Sequence, residues 1–96
     1  MGYKALFARS FHDELMGLSS YDQNRIETSI DILLENPRLA REYEPYYPSS
    51  KPPFDLRCYY VPRTHKLLFL TIGETDKTLR FYFIADTRMD PLHRFE

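Results

Sequence analysis

The chain has 96 residues, of which 43% are apolar, and its formal net charge at pH 7 is −1. This length predicts one domain spanning residues 1–96, with a core large enough to fold without disulfide bonds or a structural metal. The composition excludes general disorder. The near-neutral charge argues against a protein whose affinity comes from broad neutralisation of nucleic-acid phosphates.

A single cysteine, Cys58, excludes an internal disulfide, and we expect it to behave as a small buried hydrophobic residue. No Cys/His cluster has zinc spacing, so we expect no metal and no cofactor. The N-terminus lacks the apolar core of a signal peptide, and no apolar run approaches membrane-spanning length. We therefore expect a cytoplasmic protein without a membrane contact.

The first 18 residues predict a short strand followed by a short helix. Residues 3–8 alternate partly between polar and apolar side chains, as a strand does. Ser10 is a candidate N-cap for a helix that starts at Phe11, with Asp13 in the first turn, where the helix dipole favours an anion. One helical face is apolar and carries Phe11, Leu15 and Leu18.

The second helix has the clearest periodic pattern in the chain. Ser20 and Gln23 match a capping box, with serine at the N-cap and glutamine at N3. Asn36 ends the helix because the residue before Pro37 is disfavoured in the α conformation. The two helices should form an antiparallel hairpin that turns near Ser19. The apolar stripe consists of Ile26, Ile30, Leu33 and Leu34.

Residues 37–53 show no periodicity, and their five prolines prevent a long helix or a central strand. A structureless loop of this length is uncommon in a small domain and often marks a contact surface. The loop carries three tyrosines that either fold back over the edge of the core or bind a partner: Tyr43, Tyr46 and Tyr47.

Three apolar runs, at residues 54–61, 66–72 and 79–85, predict a three-stranded antiparallel meander with turns at 62–64 and 73–77. The middle run is apolar on both faces, as in a central strand that is covered on both sides. In the last run, Leu79, Phe81 and Phe83 alternate with Arg80, Tyr82 and Ile84. The predicted fold is α+β: an edge strand, a helical hairpin and the meander form one sheet with both helices packed on one face.

This order of elements resembles the RelE/ParE superfamily of bacterial toxins, and the resemblance spans essentially the whole chain. It rests on the opening strand, which leads into Ser10 and Phe11, and on a second helix that ends in Glu35, Asn36 and Pro37. Residues 56–57, at the start of the meander, and 66–69, in its middle strand, also match. The closing segment is similar to the ParE branch and includes Met89, Asp90, His93, Arg94 and Phe95.

The resemblance implies a growth-inhibiting toxin encoded beside an antitoxin, which wraps the toxin with an otherwise disordered segment. The RelE branch cuts mRNA in the ribosomal A site, whereas the ParE branch inhibits DNA gyrase. In the RelE case, Arg57, Lys66 and Arg88 lie where a phosphate-binding cationic set is expected, and His93 lies near the expected acid or base. The residues expected to bind a protein partner are Tyr43, Tyr46, Tyr47, Arg80, Met89, Arg94 and Phe95.

Metal-free RNA cleavage needs a base for the 2′-OH proton, cations for the phosphate and an acid for the leaving oxygen. No tyrosine follows Tyr82, so the C-terminal tyrosine that is usual in the RelE branch is absent. The candidates also have structural interpretations, since ion-pair networks resemble sites. Arg57 would then pair with Asp55 or Asp86, Lys66 would be solvated, His93 would be exposed, and Arg88 and Arg94 would hold acidic neighbours.

Three hypotheses therefore follow from the sequence. The first is a ParE-like toxin that inhibits gyrase, and the second is a RelE-like, ribosome-dependent mRNA endonuclease. The third is a homologue that has lost toxicity and only binds a partner.

Overall fold

The computed structural model describes residues 2–42 and 56–88. Within these ranges two helices, Arg9–Met16 (α1) and Ser20–Glu35 (α2), follow the first strand, Lys4–Phe7 (β1). A short 3-10 turn at Pro37–Leu39 leads into Arg41–Glu42 (β2). The remaining strands are Arg57–Tyr60 (β3), Lys66–Gly73 (β4) and Thr78–Asp86 (β5). This confirms the predicted α+β fold, and no helix of the described part is long and apolar enough to cross a membrane.

The five strands form one sheet in the order β1-β5-β4-β3-β2. The predicted meander is confirmed, because β3, β4 and β5 pair antiparallel in sequence order. The N-terminal strand β1 lies beside the last strand, β5, and runs parallel to it. Such a parallel pair needs a long crossover connection, and here the crossover includes both helices.

The prediction of a structureless segment at residues 37–53 was wrong at Pro37–Leu39, which form the 3-10 turn, and at Arg41 and Glu42. The latter two residues form β2, which pairs antiparallel with β3 and opposes Arg41 to Cys58. The prolines still exclude a central strand, and β2 lies at the end of the described sheet, where pairing on one side is enough. Tyr43, Tyr46 and Tyr47 lie outside the described residues.

Both helices cover one face of the sheet, where the main core lies. Phe11 of α1 and Phe81 of β5 are fully buried, and their ring centroids lie 5.5 Å apart. Phe7 stacks on both rings, also at 5.5 Å, although about half of its surface is exposed. The buried residues of this helix-side core are Phe11, Ile26, Ile30, Leu33, Ala40, Val61, Leu68, Leu70, Leu79, Phe81 and Ile84.

A second, smaller cluster lies on the other face of the sheet. Leu67 and Phe69 of β4 contribute to it and are fully buried, whereas Leu68 and Leu70 of the same strand belong to the helix-side core. Burial on both faces of β4 confirms the prediction of a central strand. Cys58 is also buried in the second cluster, as the sequence predicted.

The predicted alternation in β5 was wrong after Phe81. Phe69 opposes Phe83, but the next residue, Leu70, opposes Phe81, so Tyr82 is the extra residue of a β-bulge. An extra residue in one strand reverses the side-chain alternation beyond it. Phe83 therefore lies in the second cluster, and Ile84 faces the helices.

The helix starts also differ from the predictions. α1 begins at Arg9, with Ala8 as N-cap, so Ser10 is not the cap and Asp13 lies beyond the first turn. The N-cap of α2 is Ser19, whose hydroxyl accepts a hydrogen bond from the Asp22 N–H at 3.2 Å. The capping box at Ser20 was therefore wrong by one residue, because Ser19 has the extended backbone that an N-cap requires. The predicted end at Asn36 is confirmed, since the last helical residue is Glu35 and Asn36 is the C-cap.

α1 covers the part of β5 that extends past β1, whose pairing stops at Phe81. The Ser10 hydroxyl donates a hydrogen bond to the Tyr82 carbonyl at 2.8 Å. One turn later, burial raises the pKa of the Glu14 carboxyl, and the nearby Ile84 backbone partly offsets that rise. Polar helix side chains thus satisfy a strand edge that would otherwise be open, which is a common protection for sheet edges.

Candidate functional site

The start of β4 and the end of β5 bring two of the predicted site residues together. Lys66 and Asp86 are directly opposite in the antiparallel pair, with the Lys66 Nζ 3.3 Å from Asp86 Oδ2. The Arg88 guanidinium binds the same carboxylate through Nε, 3.0 Å from Oδ1, and Nη2, 2.8 Å from Oδ2. We call Lys66, Asp86 and Arg88 the Asp86 cluster.

The electrostatics of the cluster centre on the carboxylate. Hydrogen bonds from the Arg88 side chain and then from the Arg88 backbone N–H hold the pKa of Asp86 far below its usual range, and Lys66 adds to the effect. Asp86 in turn raises the pKa of Arg88, to which the charge of Asp22 also contributes. The carboxylate therefore stays ionised at any physiological pH, and the cluster holds two cations and one anion.

The turn between β3 and β4 fixes this end of the sheet. The Tyr21 hydroxyl of α2 donates to the Arg63 carbonyl at 3.2 Å, and Arg25 Nε donates to the Pro62 carbonyl at 3.2 Å. On the other side of the turn, the Thr87 N–H donates to the His65 carbonyl at 2.7 Å. The N-terminal part of α2, the turn and the end of β5 are thus linked, which holds Arg88 close to Asp22.

Arg57 lies apart from the Asp86 cluster. It opposes Leu70, four residues along β4 from Lys66, which at the rise of a strand is about 13 Å. Its Nη1 donates to the Ala40 carbonyl at 3.2 Å. The interpretation that Arg57 pairs with Asp86 was wrong, since Lys66 and Arg88 bind that carboxylate. Asp55, the other expected partner, lies outside the described residues. The solvated interpretation of Lys66 was also wrong, because its side chain is 15% exposed.

Arg80 lies elsewhere again, on β5 beside the turn that joins β4 and β5. Its Nη2 binds Asp76 Oδ2 at 3.1 Å, and its register partner in β1 is Leu6, which is 51% exposed. The other predicted site residues lie outside the described residues: Tyr43, Tyr46, Tyr47, Met89, His93, Arg94 and Phe95.

A shallow groove of about 380 Å³ runs along the paired strands β2 and β3. Leu39, Arg41, Cys58, Tyr59 and Tyr60 line it, and Tyr60 is 62% exposed. This groove lies on the far side of β3 from the β4–β5 pair that carries the Asp86 cluster. The described part of its lining is mostly aromatic and apolar, with one cation, Arg41, and this composition is typical of protein contacts.

Sequence reasoning missed Asp86 as the centre of the cluster. The pattern showed only a carboxylate at the end of an apolar run, and pairing it with Lys66 required the register across the β-bulge. Among the described residues, no group of three or more His, Cys, Asp or Glu side chains is placed to hold a metal ion.

Neither a family model nor a curated protein sequence matches this chain. Solved structures do match it. The archaeal RelE–RelB complex from Pyrococcus horikoshii OT3 contains a chain with a TM-score of 0.71 and 14% identity, covering 94% of this chain and 100% of that one. The intact RelBE toxin–antitoxin complex of E. coli gives a TM-score of 0.69 and 13% identity, covering 91% and 99% of the two chains.

The isolated RelE toxin of E. coli gives a TM-score of 0.70 and 12% identity, covering 95% of this chain and 90% of that one. These matches confirm the RelE/ParE-like fold that the sequence predicted. At such low identity they establish the fold alone, and the likeness to the ParE branch remains a prediction.

Proposed function

We propose, on the premise of this RelE-like fold, that the protein is the toxin of a type II toxin–antitoxin system, which inhibits growth until a cognate antitoxin binds it. The observation that carries the proposal is the match to RelE structures over nearly the whole of both chains. Two of those structures are complexes, of RelE with RelB in one case and of a toxin with its antitoxin in the other.

The antitoxin partner fits the described surface, which exposes several large apolar side chains. Leu6 and Phe7 are about half exposed at one end of the sheet, and Tyr60 is 62% exposed at the other. An amphipathic segment that is disordered before binding would bury such side chains, and this gain offsets the entropy lost on ordering. One extended segment would therefore contact well-separated points of the toxin.

For the target we propose DNA gyrase, reached through protein contacts. The charges of Lys66 and Arg88 are offset by Asp86 within the cluster and by Asp22 beside it. A phosphodiester would therefore meet little net positive charge there, which weakens electrostatic stabilisation of a cleavage transition state. The ParE-like segment at Met89 supports the same target.

The second candidate is a ribosome-dependent mRNA endonuclease, and one observation favours it. Lys66 and Arg88 converge on a single carboxylate, so two cations lie within reach of one small anion. In this mechanism they would hold the scissile phosphate while the 2′-OH attacks, with His93 as acid or base. Arg57, at about 13 Å along the strands, would contact a neighbouring nucleotide rather than the same phosphate.

Inducible expression in a bacterium tests the proposal. We expect growth arrest with the protein alone and recovery when the neighbouring antitoxin gene is co-expressed. The variant Arg88→Gln removes a positive charge from the Asp86 cluster. Its control is Arg9→Gln, which removes the same charge from a side chain that is 94% exposed on α1. Continued growth of cells that contain the folded protein would overturn the toxin proposal and leave a partner-binding homologue.

Two assays with purified protein separate the targets. We expect micromolar protein to inhibit supercoiling by gyrase and to produce no A-site cuts in a translation extract. The opposite pair of results, with cleavage lost in Arg88→Gln and retained in Arg9→Gln, would establish the endonuclease instead.

A further inference from the structure

The Asp86 carboxylate accepts hydrogen bonds from an unusually complete set of donors. The Arg88 backbone N–H lies 2.9 Å from Oδ1, and Arg88 Nε lies 3.0 Å from the same oxygen. Arg88 Nη2 and Lys66 Nζ lie 2.8 and 3.3 Å from Oδ2. A guanidinium fork, an ammonium and a backbone N–H are the groups with which proteins bind phosphate and carboxylate anions.

We propose that Lys66 and Arg88 form an anion-binding site whose occupant is Asp86 itself, and that this internal carboxylate excludes phosphate from the site. The inference rests on the proposed function and deepens it. It gives a physical reason why a RelE-like fold with two converging cations would act through protein contacts and not on RNA.

Competition explains the exclusion. Asp86 is part of the same strand end as Arg88, so its carboxylate is always present beside the donors at a high effective concentration. A phosphate from solution must displace the Asp86 carboxylate from these donors. The displaced carboxylate stays ionised and close by, so it repels the negative charge of the phosphate. Because the pKa of Asp86 is held so low, protonation does not relieve this repulsion near neutral pH.

Burial strengthens the contact between Lys66 and Asp86. Their side chains are only 15% and 21% exposed, so water screens the pair less than it screens an ordinary surface ion pair. If the carboxylate were removed, the ammonium would be left mostly buried without a counter-ion, which is unfavourable. A small anion from solution would then be attracted into the vacated position, where the Arg88 fork also points.

Asp86→Ala tests the proposal, with Asp31→Ala as a charge-matched control. Asp31 is exposed on α2, nine residues beyond Asp22, or about 13 Å along the helix axis. Inorganic phosphate is titrated against each protein while the NMR signals of Lys66 Nζ and Arg88 Nε are followed. We expect Asp86→Ala to bind phosphate at least about tenfold more tightly than the parent and the Asp31→Ala control. Adding Arg88→Gln should remove the gain.

Equal phosphate affinities in the parent, the control and Asp86→Ala would overturn the proposal. If Asp86→Ala does not fold, the parent still decides the question: phosphate-dependent shifts of the Lys66 and Arg88 signals at millimolar concentrations would show that the site is open. The titration does not depend on toxicity. Its failure leaves the toxin proposal standing, and a failure to arrest growth leaves the titration result standing.

Discussion

Phe81 and Phe83 should contribute differently to stability, although a simple alternation would place them on the same face of β5. Phe81 is fully buried in the helix-side core, with the rings of Phe7 and Phe11 each 5.5 Å away. Phe81→Leu removes about three buried carbons, at about 0.8 kcal/mol each. Loss of the ring contacts adds about 1 kcal/mol, so the free energy of unfolding should fall by about 3 kcal/mol.

Phe83→Leu is the matched change on the opposite face. Phe83 is half-buried and its ring lies 6.3 Å from that of Tyr82, so the expected loss is smaller, about 1–1.5 kcal/mol. Ile84 is 8% exposed and faces the helices because of the bulge. Ile84→Ala should therefore cost about 2–4 kcal/mol, as truncation of a core side chain does.

Urea denaturation of the three variants and the parent measures these differences, with unchanged m-values as the check on two-state behaviour. In a thermal scan, Phe81→Leu should lower Tm by roughly 12–24 °C. The reasoning fails if Phe83→Leu costs as much as Phe81→Leu while Ile84→Ala costs less than about 1 kcal/mol. Those results would mean that the alternation continues without a bulge.

Three further predictions concern polar groups. Burial raises the pKa of Glu14 above 4.5. The protonated side chain therefore stabilises the fold at low pH, and this stabilisation is lost as pH rises through the raised pKa. In urea titrations, the free energy of unfolding of Glu14→Gln relative to that of the parent should increase between pH 4 and 7. Ser19→Ala should lower the free energy of unfolding by about 1 kcal/mol through loss of the α2 cap, whereas Ser20→Ala should lower it by less than half of that. Thermal unfolding of both variants measures the difference, and the opposite order would mean that Ser20 is the cap. The pKa of Asp86 is depressed, so its stabilisation is present above the ordinary aspartate pKa of about 4 and is lost at lower pH; the difference in unfolding free energy between parent and Asp86→Asn should be constant from pH 5 to 8 and shrink below pH 4.

Local pattern was enough for most of the elements. The capping serines and Pro37 bracket α2 to within one residue, and the turns at 62–64 and 73–77 separate β3, β4 and β5 as expected. The apolar run at Leu67–Leu70 identified the central strand. Adjacent residues of a strand lie on opposite faces of the sheet, so a strand buries both only when both faces are covered. These features depend on neighbours in sequence, and sequence displays them directly.

The site depended on relations between distant parts of the chain. A positional resemblance grouped Arg57, Lys66 and Arg88, yet strand register separates Arg57 from the other two and joins those two through Asp86. No local signal marks the extra residue at Tyr82, which becomes visible only in the register of β5 against β4.

The sequence by itself determined both helices, four of the five described strands and the side chains that are apolar enough to form a core. Only the tertiary structure decided which charges meet. One bulged residue reverses the faces of β5 after Phe81 and so turns Asp86 toward Lys66. A side-chain period of two makes such a shift all-or-none, which is why a single residue of register determines the composition of the site.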